Sequence, residues 1–248
     1  MGDKVVLLYH EVADKATDSG FQNKDNFPYI HSVAQFERDL NVVLEQKEKA
    51  PAEVVFSFDD GGVSNLRSAE MLHNAGQVAY FFITTSKIGS SSHFLNKEEI
   101  RKIRNQGHIV GSHSHTHPMI FKNLSYAQML EEWKVSKSIL EEVLKEEITT
   151  CSIPGGDSDS KTYESALESG FLRVFDSEPI IKRRMLGEME IWGRISIKNS
   201  VSERELRKIL ALESLGSLQR RRKIKKWIKA MIFPLHNYLQ NRKNEVSY

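Results

Sequence analysis

Short runs of β-branched and aromatic residues alternate with segments of helical period about seven times along this 248-residue chain. The runs have the length and composition of buried strands and lie at 5–9, 54–58, 78–84, 108–111, 149–153, 172–175 and 191–197. This alternation predicts an α/β fold in which crossover helices join parallel strands. The periodicity fits a barrel and an open doubly wound sheet equally well.

The predicted helices have marked starts and ends. A Ser or Asn is followed three residues later by Gln or Glu, the spacing of a capping box, at Ser32/Gln35, Asn96/Glu99, Ser125/Gln128 and Ser202/Glu205. Gly76, Gly107 and Gly170 follow helical segments where left-handed C-terminal caps belong. The polar stretch 13–31 lacks a period, so we expect a loop over one end of the sheet.

Charge is distributed unevenly along the chain. The net charge is +2, and nine Lys or Arg without any acid lie between Ser214 and Asn244, so the remainder carries +2 − 9 = −7. This split argues against a nucleic-acid-binding core and places any affinity for anionic surfaces in the C-terminal segment. With 40% hydrophobic residues, the chain has the composition of a globular protein.

Targeting signals are absent from the sequence. The first apolar run has only five residues, and no run approaches the roughly 20 that span a bilayer. The single cysteine, Cys151, excludes an internal disulfide but fits both reducing and oxidising compartments. We expect a soluble, cytoplasmic protein.

Two adjacent carboxylates follow a predicted strand. The run 54–58 leads directly into Asp59, Asp60, Gly61 and Gly62, and catalytic groups of α/β enzymes lie at this end of a strand. Adjacent carboxylates repel each other, so a buried pair needs a cation or a shared proton. An ordinary Asp-Asp-Gly-Gly turn is the alternative interpretation.

Three histidines lie within five residues, at His113, His115 and His117. Imidazole is a favoured ligand of zinc and related metals, and two His with one carboxylate leave positions for water and substrate. His113 and His117 converge if the segment forms a helical turn, and His115 then points away. A solvated histidine cluster in a loop is the alternative.

Together these segments resemble the NodB-like polysaccharide deacetylases of carbohydrate esterase family four. The matching residues are Phe58-Asp59-Asp60-Gly61 and His113-Ser114-His115-Thr116-His117. The resemblance implies that Asp59 is the catalytic base and that Asp60, His113 and His117 hold a divalent metal, zinc or else cobalt, nickel or manganese. It also implies a distorted, TIM-like (β/α) barrel over residues 1–213, followed by a basic helical extension at 214–248.

Two family features are missing from the sequence. Ser152 stands where the family usually has an Arg that orients the catalytic Asp, and no late Leu-x-x-His motif supplies a general acid. His236 lies in the basic segment, where we expect a surface residue. The missing Arg predicts that the pKa of Asp59 is less depressed than in relatives that carry it.

Substrate contacts are expected from residues at the same end of the barrel: His10, Pro154, Gly155 and Asp176. His10 can bind substrate or carry a proton, but a structural histidine is the alternative. Asp176 follows a predicted strand, but its surroundings also fit a turn.

The resemblance implies removal of N-acetyl groups from an aminosugar-containing polysaccharide or oligosaccharide, such as an exopolysaccharide. A glycan-binding barrel with little or no turnover, and a deacetylase for O-acetyl groups or small amides, are the alternatives. The basic segment carries Ile224, Trp227, Ile228 and Met231 on one helical face. That face predicts either docking on an anionic membrane surface or packing against the barrel.

Overall fold

Parallel strands and their crossover helices account for most of the computed structural model, which describes residues 2–15, 18–47 and 49–228. The strands are β1 (Lys4–Tyr9), β2 (Glu11–Val12), β3 (Ile30–His31), β4 (Glu53–Phe58), β5 (Ala79–Ile83), β6 (Ile109–Ser112), β7 (Thr150–Ser152), β8 (Arg173–Phe175), β9 (Arg184–Leu186), β10 (Met189–Trp192) and β11 (Ile195–Ser196). The helices are α1 (Val33–Gln46), α2 (Asn65–Asn74), α3 (Lys97–Asn105), α4 (Tyr126–Leu144), α5 (Ser160–Glu168) and α6 (Glu203–Leu210).

Nine of these strands form one sheet in the order β11-β1-β4-β5-β6-β7-β8-β10-β9. Every neighbouring pair is parallel except β9 with β10. One small apolar cluster joins side chains from β1, β4, β5, β8 and β10, so the sheet curls around it: Val6, Val55, Phe82, Phe175 and Trp192. The edges at β11 and β9 stay apart in the sheet order. This is the distorted, open barrel that the family resemblance predicts.

The larger core lies between the outer face of the sheet and the helices. Side chains alternate between the two faces of each strand, so Tyr9, Phe58 and Phe81 point outward on three neighbouring strands and pack ring to ring. Phe36 of α1 meets Tyr9 and Phe58 edge to face. Burial of each such ring stabilises the fold by about 2–3 kcal/mol. The packing fixes the carboxyl ends of β1 and β4, where the polar site begins.

The sequence predicted the helix boundaries well. All four expected capping boxes are present, with the side chains of Ser32, Asn96, Ser125 and Ser202 accepting the backbone N–H three residues later. Gly76, Gly107 and Gly170 have positive φ angles after α2, α3 and α5. A further capping box, Asp159 with Thr162, was not predicted.

Two predictions of local structure were wrong. The stretch 13–31 is more than a loop, because it contains a 3-10 helix, Lys24–Tyr29, and strand β3, which pairs with β2. The run 191–197 is two strands, β10 and β11, separated by Gly193 and Arg194. A Cβ on Gly193 would lie 2.2 Å from the carbonyl oxygen of Glu178, so this close backbone approach requires glycine.

The basic segment begins as a helix over residues 215–228. Leu215 and Leu218 pack against the large core, which favours the packed arrangement for this part of the segment. Ile224, Trp227 and Ile228 are exposed, and Met231 lies outside the described residues. Over the described ranges, no helix combines the length and apolarity that crossing a bilayer requires.

A buried carboxyl group ties the region after β1 to the turn after β4. The side chain of Glu11 is buried, and its Oε2 accepts hydrogen bonds from the hydroxyls of Ser19 and Ser64, both at 2.5 Å. A Cβ on Gly20 or Gly62 would come within 2.2 Å of Glu11 Oε1. Burial raises the pKa of Glu11 to about 8, so this carboxyl is protonated at neutral pH.

We predict that Glu11→Gln changes the pH dependence of stability. The folded-state pKa of Glu11 lies above its ordinary value of 4.5, so the stability present below pH 4.5 is lost as the pH rises through 8. Gln cannot ionise, so the variant does not lose stability in this way. Between pH 5 and pH 9 its free energy of unfolding should therefore rise relative to that of the wild type by a few kcal/mol, or roughly 5–10 °C in Tm. Thermal melts at fixed metal concentration measure this gain. Glu131→Gln on the exposed face of α4 is the control. A pH-independent difference for Glu11→Gln would contradict the prediction.

Candidate active site

The two adjacent aspartates lie at the carboxyl end of β4, and both are buried. The Asp59 N–H donates to the carbonyl oxygen of Tyr9 at 3.2 Å, which continues the pairing of β4 with β1. Asp60 and Gly61 then adopt positive φ angles of 76° and 79°. A left-handed aspartate is strained, and the tight turn sends the two carboxylates to different partners.

Asp60, His113 and His117 form a cluster of three possible metal ligands. One ligand atom from each lies within 4.8 Å of the others. The Nε2 atoms of His113 and His117 lie 3.5 and 3.4 Å from Asp60 Oδ1, which is buried and accepts no hydrogen bond from a described residue. Two imidazole nitrogens and a carboxylate oxygen that face one point fit a divalent metal of the zinc type.

Ser152 orients both His113 and Asp59. Its Oγ lies 2.6 Å from His113 Nδ1 and 3.0 Å from Asp59 Oδ1. A hydroxyl has one proton to donate, and the carboxylate can only accept, so Nδ1–H of His113 donates to the hydroxyl. The Nε2 lone pair of His113 therefore faces Asp60, as a metal ligand requires.

His113 and His117 converge without the helical turn that their spacing suggested. Ser114 and His117 have left-handed φ angles of 63° and 59°, and His117 N–H donates to Ser114 Oγ at 3.1 Å. His115 points away from the cluster, as predicted, and its Nδ1 lies 3.0 Å from Thr85 Oγ1. The segment is a strained turn that brings alternate histidines to opposite sides.

Asp59 has a cationic partner, so the prediction that it lacks one was wrong. Arg194 donates from Nη1 to Asp59 Oδ1 at 2.7 Å and from Nη2 to Oδ2 at 2.8 Å, and both side chains are buried. Burial acts to raise the pKa of Asp59, but the charges of Arg194 and His113 and the Arg194 hydrogen bonds lower it below its ordinary value. Arg194 thus provides the contact with Asp59 that was expected of an Arg at position 152.

The signal for Arg194 was present in the sequence. An arginine in the apolar run 191–197, at the carboxyl end of a predicted strand, needs a buried acidic partner. The prediction of one continuous strand over 191–197 treated Arg194 as a strand residue and so missed this signal. The break at Gly193 turns the Arg194 side chain to the site, where its Nε donates to the carbonyl oxygen of Asp176 at 3.0 Å.

The expected substrate contacts divide into two groups. His10 and Gly155 line the cavity around the cluster, whereas Pro154 and Asp176 are not among the lining residues. The Asp176 carboxylate is buried and accepts hydrogen bonds from Tyr163 and Arg184 at 2.6 and 2.7 Å. It supports the loop after β8 and does not face substrate.

The cavity has a volume of about 750 Å³. Its lining includes Asp59, Asp60, His113 and His117, together with His10. His10 packs against Tyr29, and its Nδ1 has no hydrogen-bond partner among the described residues. Burial lowers the pKa of His10, although the charges of Asp60 and Asp59 act in the opposite direction. A cavity of this size can accept a sugar residue beside the cluster.

Comparison with known proteins identifies the family. The model of the polysaccharide deacetylase family matches residues 46–174, which is just over half of the chain and includes both aspartates, His113 and His117. The chain belongs to the polysaccharide deacetylase family. It is 27% identical over 145 residues to the putative polysaccharide deacetylase YxkH of Bacillus subtilis, and the match covers 57% of this chain and 51% of that protein. The chain thus spans about half the length of this curated relative.

Solved structures have the same fold as this family member. The Streptococcus pyogenes deacetylase PplD in complex with acetate superposes with a TM-score of 0.68 at 17% identity, covering 84% of this chain and 98% of that one. IcaB from Ammonifex degensii superposes with a TM-score of 0.69 at 19% identity, covering 85% and 98%. At these identities the likeness shows the fold alone.

In this polysaccharide deacetylase family member, we predict that Arg194→Gln impairs catalysis without removing the metal. Loss of the guanidinium charge raises the pKa of Asp59, so the acid limb of the pH–rate profile should move to higher pH and kcat should fall by 10-fold or more. Breaking a buried pair also costs about 3–5 kcal/mol of stability, so thermal melts accompany the kinetics. Arg194→Lys keeps the charge and should recover part of the shift. An unmoved acid limb in a folded Arg194→Gln variant would contradict this account.

Proposed function

We propose that the protein is a metal-dependent hydrolase that removes N-acetyl groups from an aminosugar-containing glycan. The observation that carries the proposal is the division of labour between the two aspartates. Asp60 belongs to the cluster with His113 and His117, whereas Asp59 lies beside the cluster in a bidentate pair with Arg194. A base next to a metal site, in a cavity that admits a sugar, is what amide hydrolysis requires.

Asp60, His113 and His117 would hold the ion, and the donor set suits zinc, cobalt, nickel or manganese. When bound, a divalent metal polarises the acetyl carbonyl and makes water a nucleophile near neutral pH. Asp59 would accept a proton from the attacking water at Oδ2, the oxygen that lies 3.7 Å from His113 Nε2. Arg194 keeps Asp59 ionised and fixes the orientation of its carboxylate.

We assign protonation of the leaving amine to His10. The cavity is lined by three histidines of the described chain, and His10 is the one outside the ligand cluster. Its Nδ1, which has no hydrogen-bond partner among the described residues, would accept the proton that Asp59 takes from water and pass it to the nitrogen as the C–N bond breaks. The acetyl group would lie against Ile153, Gly155 and Gly156, which form part of the cavity wall.

The sequence is compatible with two other functions. A glycan-binding barrel with little or no turnover drew its support from the missing Arg and the missing late His. Arg194 answers the first of these by pairing with Asp59, and the assignment of His10 to proton transfer is the proposed answer to the second. A deacetylase for O-acetyl groups or small amides would use the same residues, so the products decide between it and an N-deacetylase. An anionic membrane surface stays a hypothesis for the basic segment, because its predicted apolar face extends to Met231, outside the described residues.

We predict acetate and free amine in equal amounts from N-acetylglucosamine oligomers. Asp59→Asn should retain the metal but lose about 10²–10⁴-fold in kcat, because it removes the proton acceptor. Asp60→Ala, His113→Ala and His117→Ala should lose metal and activity together. His115→Ala is the matched control within the histidine segment and should change neither.

Metal analysis and acetate and amine assays on the same preparations provide the measurement. Acetate without amine would indicate an O-deacetylase. Loss of metal from Asp59→Asn as complete as from Asp60→Ala would show that the division between base and ligand is wrong.

A further inference from the structure

Helix α4 contributes two polar side chains to the segment that carries the candidate histidine ligands. Glu132 and Ser136 lie four residues apart, so one side chain follows the other by a single turn on the same face of the helix. Ser136 is buried, and its Oγ lies 2.7 Å from the Oγ of Ser112 at the end of β6. Ser112 Oγ in turn accepts a hydrogen bond from the N–H of Ser114 at 3.1 Å. Hydroxyl groups thus connect the start of the histidine segment to the helix.

Glu132 holds the next part of the segment with its carboxylate. Its Oε2 accepts the backbone N–H of His115 at 2.8 Å and that of Thr116 at 2.7 Å, and its Oε1 accepts the hydroxyl of Thr116 at 2.5 Å. Hydrogen bonds to an ionised carboxylate are about twice as strong as those between neutral groups. The three bonds therefore fix the backbone of two of the three residues that separate His113 from His117.

The carbonyl groups of the same segment are bound by the 3-10 helix Thr85–Lys87. The N–H of Thr85 donates to the carbonyl oxygen of Ser114 at 3.2 Å. The N–H of Ser86 donates to the carbonyl oxygen of His115 at 2.9 Å. The turn is thus held through its carbonyl oxygens by one element and through its N–H groups by Glu132.

The histidine turn needs this support because its backbone is strained. Ser114 and His117 both have left-handed φ angles, and such a conformation persists only where the surrounding contacts enforce it. The position of the His117 Nε2 atom, 3.4 Å from Asp60 Oδ1, depends on this turn. If the turn relaxed, a metal ion would have to order it again on binding, and the affinity for the metal would fall.

We propose that Glu132 is a positioning residue for the metal, because it keeps the histidine turn in the conformation that brings His117 to Asp60. Glu132 is not one of the three clustered ligands, so it acts through the backbone of residues 115 and 116. The inference rests on the proposed function, since it takes the cluster as the site of a divalent metal. Groups that orient ligands from outside the coordination shell typically contribute about 10- to 100-fold to metal affinity.

The test measures the zinc affinity of the full chain by competition with a chromophoric chelator. We expect Glu132→Ala to bind zinc about 10- to 100-fold more weakly than the wild type. Glu132→Gln keeps an oxygen that can accept both N–H groups and should recover part of the loss. Thr116→Val removes one of the three bonds and should have a smaller effect. Glu131→Ala removes the neighbouring carboxylate from the exposed face of α4 and should keep the wild-type affinity.

Thermal melts of the metal-free proteins distinguish positioning from a purely structural role. A structural role would lower the Tm of metal-free Glu132→Ala and leave its zinc affinity unchanged, and that result would overturn the proposal. An equal loss of affinity in Glu131→Ala and Glu132→Ala would also overturn it. Glu132→Met keeps the length of the side chain and a high helix propensity without an acceptor, so it replaces the Ala variant if that variant fails to fold.

The same preparations separate this inference from the proposed reaction. Wild-type protein that binds no zinc would overturn both the metal site and the role of Glu132. Weakened zinc binding by Glu132→Ala, with no acetate release by the wild type, would leave the positioning role standing and reject the proposed reaction. Acetate release by the wild type, with unchanged zinc affinity in Glu132→Ala, would do the reverse.

Discussion

Repulsion between two buried, adjacent carboxylates is the constraint that the rest of the site satisfies. Asp59 and Asp60 are 3% and 6% exposed, so neither can rely on water to screen its charge. The turn after β4 separates them, at the expense of a left-handed aspartate. Asp59 is neutralised by the bidentate contact with Arg194, and Asp60 faces two imidazole nitrogens with which it could hold a metal ion.

The fold brings these partners together because parallel strands end at the same edge. The aspartates follow β4, the histidine segment follows β6, Ser152 ends β7, and Arg194 follows β10. Ser152 lies between His113 and Asp59, so one hydroxyl fixes the orientation of a ligand and of the proposed base. Two further left-handed residues, Ser114 and His117, make the histidine turn, so backbone strain is concentrated where the ligands must converge.

Local signals in the sequence predicted β1 and β4 to β8, the starts of four helices and the candidate ligands. The capping boxes depend on residues three positions apart, and both functional motifs are contiguous, so short-range patterns suffice for them. The partners of Arg194 and Arg222 were beyond such patterns. Each pairs with an acid from a different part of the chain, Asp59 at a separation of 135 residues and Asp157 at 65. Only the curvature of the sheet and the path of the C-terminal helix determine these contacts.

The central claim is that a single metal ion binds to Asp60, His113 and His117 while Asp59 stays outside its coordination sphere. A crystal structure of the zinc-loaded protein, with anomalous data at the zinc edge, tests it most directly. We predict one anomalous peak about 2.0–2.2 Å from Asp60 and from the Nε2 atoms of His113 and His117, with the Asp59–Arg194 pair intact. A peak coordinated by both aspartates, or an Asp59 that has left Arg194 to bind the ion, would contradict the account.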